Sequence, residues 1–139
     1  MLGNGALSAQ PAAGRPPALG PQQARPAKVL HAIDAVSSPA SPVADLPQLT
    51  SAATRAVAAG QGHVLHASHV VFPNGAITLV LILAESHLSI HTWPEENLVA
   101  IDLFSCGAID GRAVLDGLVG ALSLTEVTTR EVRRGLPPQ

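Results

Sequence analysis

Seven residues, Ile77-Thr78-Leu79-Val80-Leu81-Ile82-Leu83, are apolar at every position but Thr78, and they limit the fold more than any other stretch. Asn74-Gly75 precedes the run and Glu85-Ser86 follows it. An apolar run this short, held between turn residues and polar ones, reads as a buried strand. Side chains on both faces of a strand are apolar here, so both faces of its sheet call for cover. The chain has 139 residues, one domain's length. Its only aromatics are Phe72, Phe104 and Trp93, so the core must be made of Val, Leu, Ile and Ala.

Residues 1–27 contain Pro11, Pro16, Pro17, Pro21 and Pro26 among Ala, Gly and Gln. Such a segment buries too little apolar surface to offset its ordering entropy, and a disordered tail is expected. The prolines argue against an amphipathic targeting helix, and no signal-peptide core follows the first residues. The folded domain is expected over 28–134, with a short tail at 135–139. Val29–Asp34 reads as a strand. Asp45, with Gln48 three residues on, offers a capping box for a helix striped by Leu46, Leu49, Ala53 and Val57 and stopped by Gly60. His63–Phe72, Ile77–Leu83, residues 87–93 and Leu98–Phe104 read as successive strands, the first two joined by the Asn-Gly turn. Asp110 caps a second helix, and Thr125–Arg134 is a last strand. The order β-α-β-β-β-β-α-β is an α+β architecture: an antiparallel-rich sheet with two helices on one face. Two helices cover one face only. The other is expected to pack on a second sheet, most simply from another copy of the chain.

Directly after the apolar run, Ala84-Glu85-Ser86-His87-Leu88-Ser89-Ile90-His91-Thr92-Trp93-Pro94-Glu95 gathers carboxylates, hydroxyls, two imidazoles and the only Trp. Cys106, the only cysteine, follows twenty residues after Ser86 and excludes an internal disulfide. Alternation puts His87, Ser89, His91 and Trp93 on one strand face and Leu88, Ile90 and Thr92 on the other. On this chemistry alone, a polar edge strand facing water explains the segment as well as a reactive site does.

The segment 84–95, with Ile101-Asp102-Leu103-Phe104-Ser105-Cys106-Gly107, resembles the self-processing site of prokaryotic S-adenosylmethionine decarboxylases, which are pyruvoyl enzymes. The resemblance is strong over about 72–107. It implies that Ser86 attacks the Glu85 carbonyl, that the chain is cut between Glu85 and Ser86, and that residue 86 becomes a pyruvoyl group serving as the cofactor and forming a Schiff base with substrate. His91 then stands for the processing base, Thr78 for an assisting hydroxyl and Cys106 for the proton donor. Phe72 stands for an adenine-stacking ring and Glu95 for the acid that binds the ribose. The implied activity yields decarboxylated S-adenosylmethionine for spermidine synthesis, in a homodimer built as an α/β/β/α sandwich. The sequence departs from the family at Asn97-Leu98, where a Tyr is common, and in its first strand. Same-fold decarboxylases of ornithine or arginine would keep the same machinery.

The residues themselves bear on the chemistry. Decarboxylation of an α-amino acid needs an electron sink, and Lys28, the only lysine, is poorly placed to bind pyridoxal phosphate. Five residues of strand separate Ser86 from His91 by ~16 Å and place them on opposite faces. Ser86 is therefore expected on a turn before the strand. Other readings are a Ser86, His91, Asp102 hydrolase, an uncleaved homologue acting as a binding partner, and a metal site. The last is disfavoured because His63, His66 and His69 alternate faces on a strand, and His87 and His91 lie ~13 Å apart on one.

Residues 1–33 hold Arg15, Arg25 and Lys28 without an acid, and the rest carries five basic residues against ten acids, for a net charge of −2. No basic patch with interleaved aromatics appears, so no nucleic-acid partner is expected. The longest apolar run is too short to span a bilayer. A soluble, cytoplasmic protein that binds a small molecule and no membrane is the expectation.

Overall fold

The computed structural model describes residues 26–137. Most of the expected tail, residues 1–25, lies outside them, as do Pro138 and Gln139; Pro26 and Ala27 are exposed and without regular structure. The elements are β1 (Lys28–Val36), α1 (Leu46–Ala59), β2 (Val64–Val71), β3 (Ile77–Leu83), β4 (Ser86–Trp93), β5 (Leu98–Cys106), α2 (Gly111–Ala121) and β6 (Thr125–Arg134). Their order is the one expected from sequence. Single 3-10 turns at Pro42–Ala44 and Pro94–Glu96 lead into α1 and β5. The strands form one six-stranded sheet in the order β2-β3-β4-β5-β1-β6. Every pairing in it is antiparallel.

Both helices begin where their caps dictate. The Asp45 carboxylate accepts the Gln48 N–H at 2.9 Å, and the Asp110 carboxylate accepts the Ala113 N–H at 3.0 Å, each satisfying a donor that the first turn leaves free. Leu49, Ala53, Ala56 and Val57 of α1, with Val114, Leu115 and Leu118 of α2, share a core with Ile77, Leu79, Leu81, Leu88, Ile90, Val99, Ile101 and Leu103 of the sheet. Strand periodicity puts these sheet residues on one face. Both helices therefore cover that face, and the aliphatic core anticipated from the lack of aromatics is what fills it.

Cover on the second face is missing among the described residues. Thr78 and Val80 are only half-buried there, and Ile82 is 46% exposed. The expectation that both faces of Ile77–Leu83 are buried is thus met on one side within a single chain. The physical reason is that two helices supply one layer.

Gly60 ends α1 and passes close beneath the start of α2, where its carbonyl accepts the Asp110 N–H at 2.8 Å. A Cβ at Gly60 would sit 2.5 Å from Val114 Cγ2 and 2.8 Å from the Asp110 carbonyl oxygen. Backbone cannot give way as a side chain can, so Gly60→Ala is expected to cost about 1–3 kcal/mol. A lowered urea midpoint with unchanged slope would register it, and an unchanged midpoint would contradict it.

Candidate active site

The hairpin of β3 and β4 turns on two residues, Ala84 and Glu85, because Leu83 pairs directly with Ser86. Ser86 is thus the first residue of β4 rather than a turn residue ahead of it. Its φ is 131°, a region that costs a non-glycine residue about 1–3 kcal/mol. Regular alternation would send its side chain to the helix-covered face with Leu88 and Ile90. The positive φ breaks that alternation, and Ser86 Oγ lies 4.0 Å from Cys106 Sγ. Cys106 arrives there because β5 pairs Ser105 with Ser86.

The bond between Glu85 and Ser86 is held from several sides. The Cys106 backbone N–H donates to the Glu85 carbonyl oxygen at 2.9 Å. A donor so placed would stabilise negative charge on that oxygen if a nucleophile added to the carbonyl. The Glu85 carboxylate accepts the His63 backbone N–H at 2.8 Å and meets His63 Nδ1 at 3.0 Å. Burial pushes the Glu85 carboxyl up. The hydrogen bonds from the His63 ring and backbone, together with the ring's charge, outweigh that and hold it below its ordinary value.

A lowered folded-state pKa contributes stability that is present above the unfolded pKa, about 4.3 for a glutamate. That contribution is lost as pH falls through the lower, folded value. In the intact chain, acidification below about pH 4.3 should lower the urea midpoint. The drop should be smaller when Glu85→Gln is added; equal slopes with pH would contradict the linkage.

A second cluster occupies the other end of the hairpin. Pairing places Thr78 opposite His91, and Thr78 Oγ1 lies 3.1 Å from His91 Nδ1. The His91 ring rests against Trp93, centroids 6.1 Å apart. Thr78, His91 and Trp93 join Phe72, Asn74 and Glu95 around a cleft of ≈ 520 Å³. Asn74 Nδ2 donates to the Glu95 carboxylate at 3.3 Å, and Phe72 is 46% exposed. The cleft therefore offers a ring face, a carboxylate and an imidazole to one small molecule. A slightly larger cleft, ≈ 570 Å³, lies between α1 and α2, but Arg55 is its only ionisable lining residue and it holds no nucleophile beyond Ser51.

The seven residues singled out in the sequence thus fall into two groups. Ser86, Glu85 and Cys106 meet at one end of β4; Thr78, His91, Phe72 and Glu95 meet at the other. Ser86 and His91 do not meet within one chain. Asp102 lies 3.5 Å from Ser89 Oγ, across the strand pair, so a Ser86, His91, Asp102 triad is not assembled either. Among the described residues no group of three or more His, Cys, Asp or Glu side chains could hold a metal ion. No described helix is long and apolar enough to cross a membrane. Three participants had no sequence signal for this role: His63, Asn74 and the Cys106 backbone N–H.

Known proteins share this arrangement of sequence and fold. A family profile for S-adenosylmethionine decarboxylase matches residues 30–135. The S-adenosylmethionine decarboxylase proenzyme 2 of Bacillus anthracis is 40% identical over 75 residues, 53% of this chain and 61% of that protein. The proenzyme of Symbiobacterium thermophilum is 47% identical over 73 residues, 52% and 55% of the two chains. The chain therefore spans about three-fifths of the length of such curated relatives. The crystal structure of the adenosylmethionine decarboxylase from Aquifex aeolicus superposes with a TM-score of 0.72 at 24% identity, covering 84% of this chain and 97% of that one; this likeness establishes the α+β fold. With the profile spanning β1 to β6, the chain belongs to the S-adenosylmethionine decarboxylase family.

Proposed function

We propose that this chain is a proenzyme that cuts itself between Glu85 and Ser86 and, as a homodimer, decarboxylates S-adenosylmethionine. The observation that carries the reading is at Cys106: its N–H is bonded to the Glu85 carbonyl oxygen and its thiol is 4.0 Å from the Ser86 hydroxyl. Carbonyl, nucleophile and donor are already together. In the first step the Ser86 oxygen bonds to the Glu85 carbonyl carbon, the peptide C–N bond breaks, and the nitrogen of residue 86 becomes a free amine. Removal of the α-proton of residue 86 then expels the Glu85 carboxylate. The dehydroalanine left behind takes up water, loses ammonia and becomes a ketone.

The α-proton needs a base, and His91 of the same chain is ~16 Å along the strand. In a two-fold dimer the same patch of each copy faces its twin. If the uncovered sheet faces meet, the Thr78–His91 end of one chain can lie over the Ser86–Cys106 end of the other, and both sites are completed together. Sheets so stacked lie about 10 Å apart, within reach of facing side chains. The exposed Ile82 and Val132 and the half-buried Val80 on that face favour such cover. A cytoplasmic location fits an enzyme of this chemistry and belongs to the same proposal.

The residues around position 86 fit a pyruvoyl group, because the Cys106 thiol and backbone N–H flank the site. When formed, that group supplies the carbonyl that captures the substrate amine and accepts the electron pair left by CO₂. Cys106 holds the proton to be returned. Phe72 and Glu95 of the facing copy present a ring and a carboxylate, suited to an adenine and ribose hydroxyls near a sulfonium. CO₂ release from S-adenosylmethionine, ornithine and arginine tests the assignment. Turnover of the first alone is expected, and preference for either amino acid would overturn the substrate while sparing the mechanism.

A further inference from the structure

We infer that His63 is a positioning residue for self-cleavage, holding the Glu85 side of the scissile bond still while the Ser86 hydroxyl attacks. The inference rests on the self-processing reading above and adds a residue to it. The loop between α1 and β2 brings His63 to the hairpin turn, where three hydrogen bonds join them. The Ala84 N–H donates to the His63 carbonyl at 2.9 Å, the His63 N–H donates to Glu85 Oε1 at 2.8 Å, and the ring's Nδ1 meets Oε2 at 3.0 Å.

Gly62 lets the loop pass this close. A Cβ there would fall 2.7 Å from both Val57 Cγ1 and Ile109 Cδ1, and 3.3 Å from Glu85 Oε1. With the Cys106 N–H on the Glu85 carbonyl, residue 85 is anchored by its carboxylate and by its backbone oxygen. Two anchors on one residue fix which face of its carbonyl carbon turns toward the next hydroxyl. Attack inside a fixed geometry is much faster than attack on a mobile one.

Packing does not explain the His63 ring. Its side chain is 74% exposed, whereas that of Glu85 is 14% exposed. Removing the imidazole opens no cavity, but it leaves a mostly buried carboxylate short of one charge-assisted bond. Of the ion pairs among the described residues, the only other is Arg130–Asp34, on the strands at the opposite side of the sheet, so Glu85 has no alternative cation there.

The test follows appearance of the two cleavage products over time in the full chain. His63→Ala should slow cutting about tenfold, the equivalent of one charged hydrogen bond. With His63→Ala added, the thermal midpoint of the uncut Ser86→Ala chain should fall only by the few degrees that one lost hydrogen bond costs, whether or not cutting is slowed. His63→Asn, whose side-chain amide can donate near the Nδ1 position, should restore most of the rate. In a Glu85→Gln background His63→Ala should slow cutting by less than about twofold, because the two residues act through one contact. Cutting by His63→Ala at the parent rate, failure of Asn to rescue, or full slowing in the Glu85→Gln background would each overturn the role of His63 alone. A parent chain that never cuts would overturn the self-processing reading, and this inference with it.

Discussion

A chain carrying Ser86→Ala is expected to fold, stay whole and release no CO₂ from S-adenosylmethionine. In the proposed mechanism the hydroxyl removed is both the attacking group and the source of the ketone, which leaves no residual route. Ser86 is only half-buried, and its hydroxyl makes a single 4.0 Å contact to Cys106. Its loss therefore leaves the core of Leu79, Leu81, Leu88, Ile90 and Leu103 intact. The unfolding midpoint should match that of a parent chain trapped before cutting. Denaturing electrophoresis and a CO₂-capture assay read both outcomes, and a cleaved or active Ser86→Ala chain would contradict the assignment.

The second large effect is a rescue. His91→Ala alone should stop after the acyl shift, leaving an ester that hydroxylamine opens. Ser86→Ala alone cannot start. Coexpressed, the two chains should form hybrid dimers in which, on the proposed packing, Ser86 of one faces His91 of the other. With random pairing about a quarter of all sites are then complete. Cleavage should appear in the His91→Ala chain only, since that chain alone carries Ser86, and a size tag on one chain distinguishes the two. A mixture that stays uncut, or a His91→Ala chain that cuts alone at the parent rate, would contradict the composite site. The reasoning depends on the strand itself: no rotamer of His91 closes ~16 Å.

The fold was legible because its signals are local. The alternation of residues 87–93, the Asn74-Gly75 turn and the caps at Asp45 and Asp110 each act within a few residues of chain. The core needed no aromatic to be found, since alternation marks Leu88 and Ile90 as the covered face of β4, and Ile77–Leu83 is apolar at all but Thr78. The uncovered face was legible as a need for cover. Val80 and Ile82 are apolar on the side opposite Leu79 and Leu81, and two helices supply only one layer, which left that side for a second copy.

The site was legible in its residues and hidden in its grouping. The Thr78–His91 pair follows from register once Leu83 is paired with Ser86, but neither Ala84 nor Glu85 is a residue that advertises a two-residue turn. Ser86 was expected on a turn before the strand because a straight strand would keep it ~16 Å from His91; its pairing with Leu83 makes it the first strand residue instead. Contacts made by loop docking left no trace. His63 and Glu85 are 22 residues apart, and His63 drew attention only as a rejected metal ligand. Asn74 read as a turn former, and its bond to Glu95 comes from two turns meeting at the same end of the sheet.

The central claim is that this backbone cuts itself at Ser86, and the mass of the purified, denatured protein tests it most directly. Two chains are predicted, residues 1–85 ending in an ordinary carboxylate and residues 86–139 beginning with a ketone that borohydride reduces. One chain at the full mass of the 139-residue sequence, with no carbonyl to reduce, would contradict it.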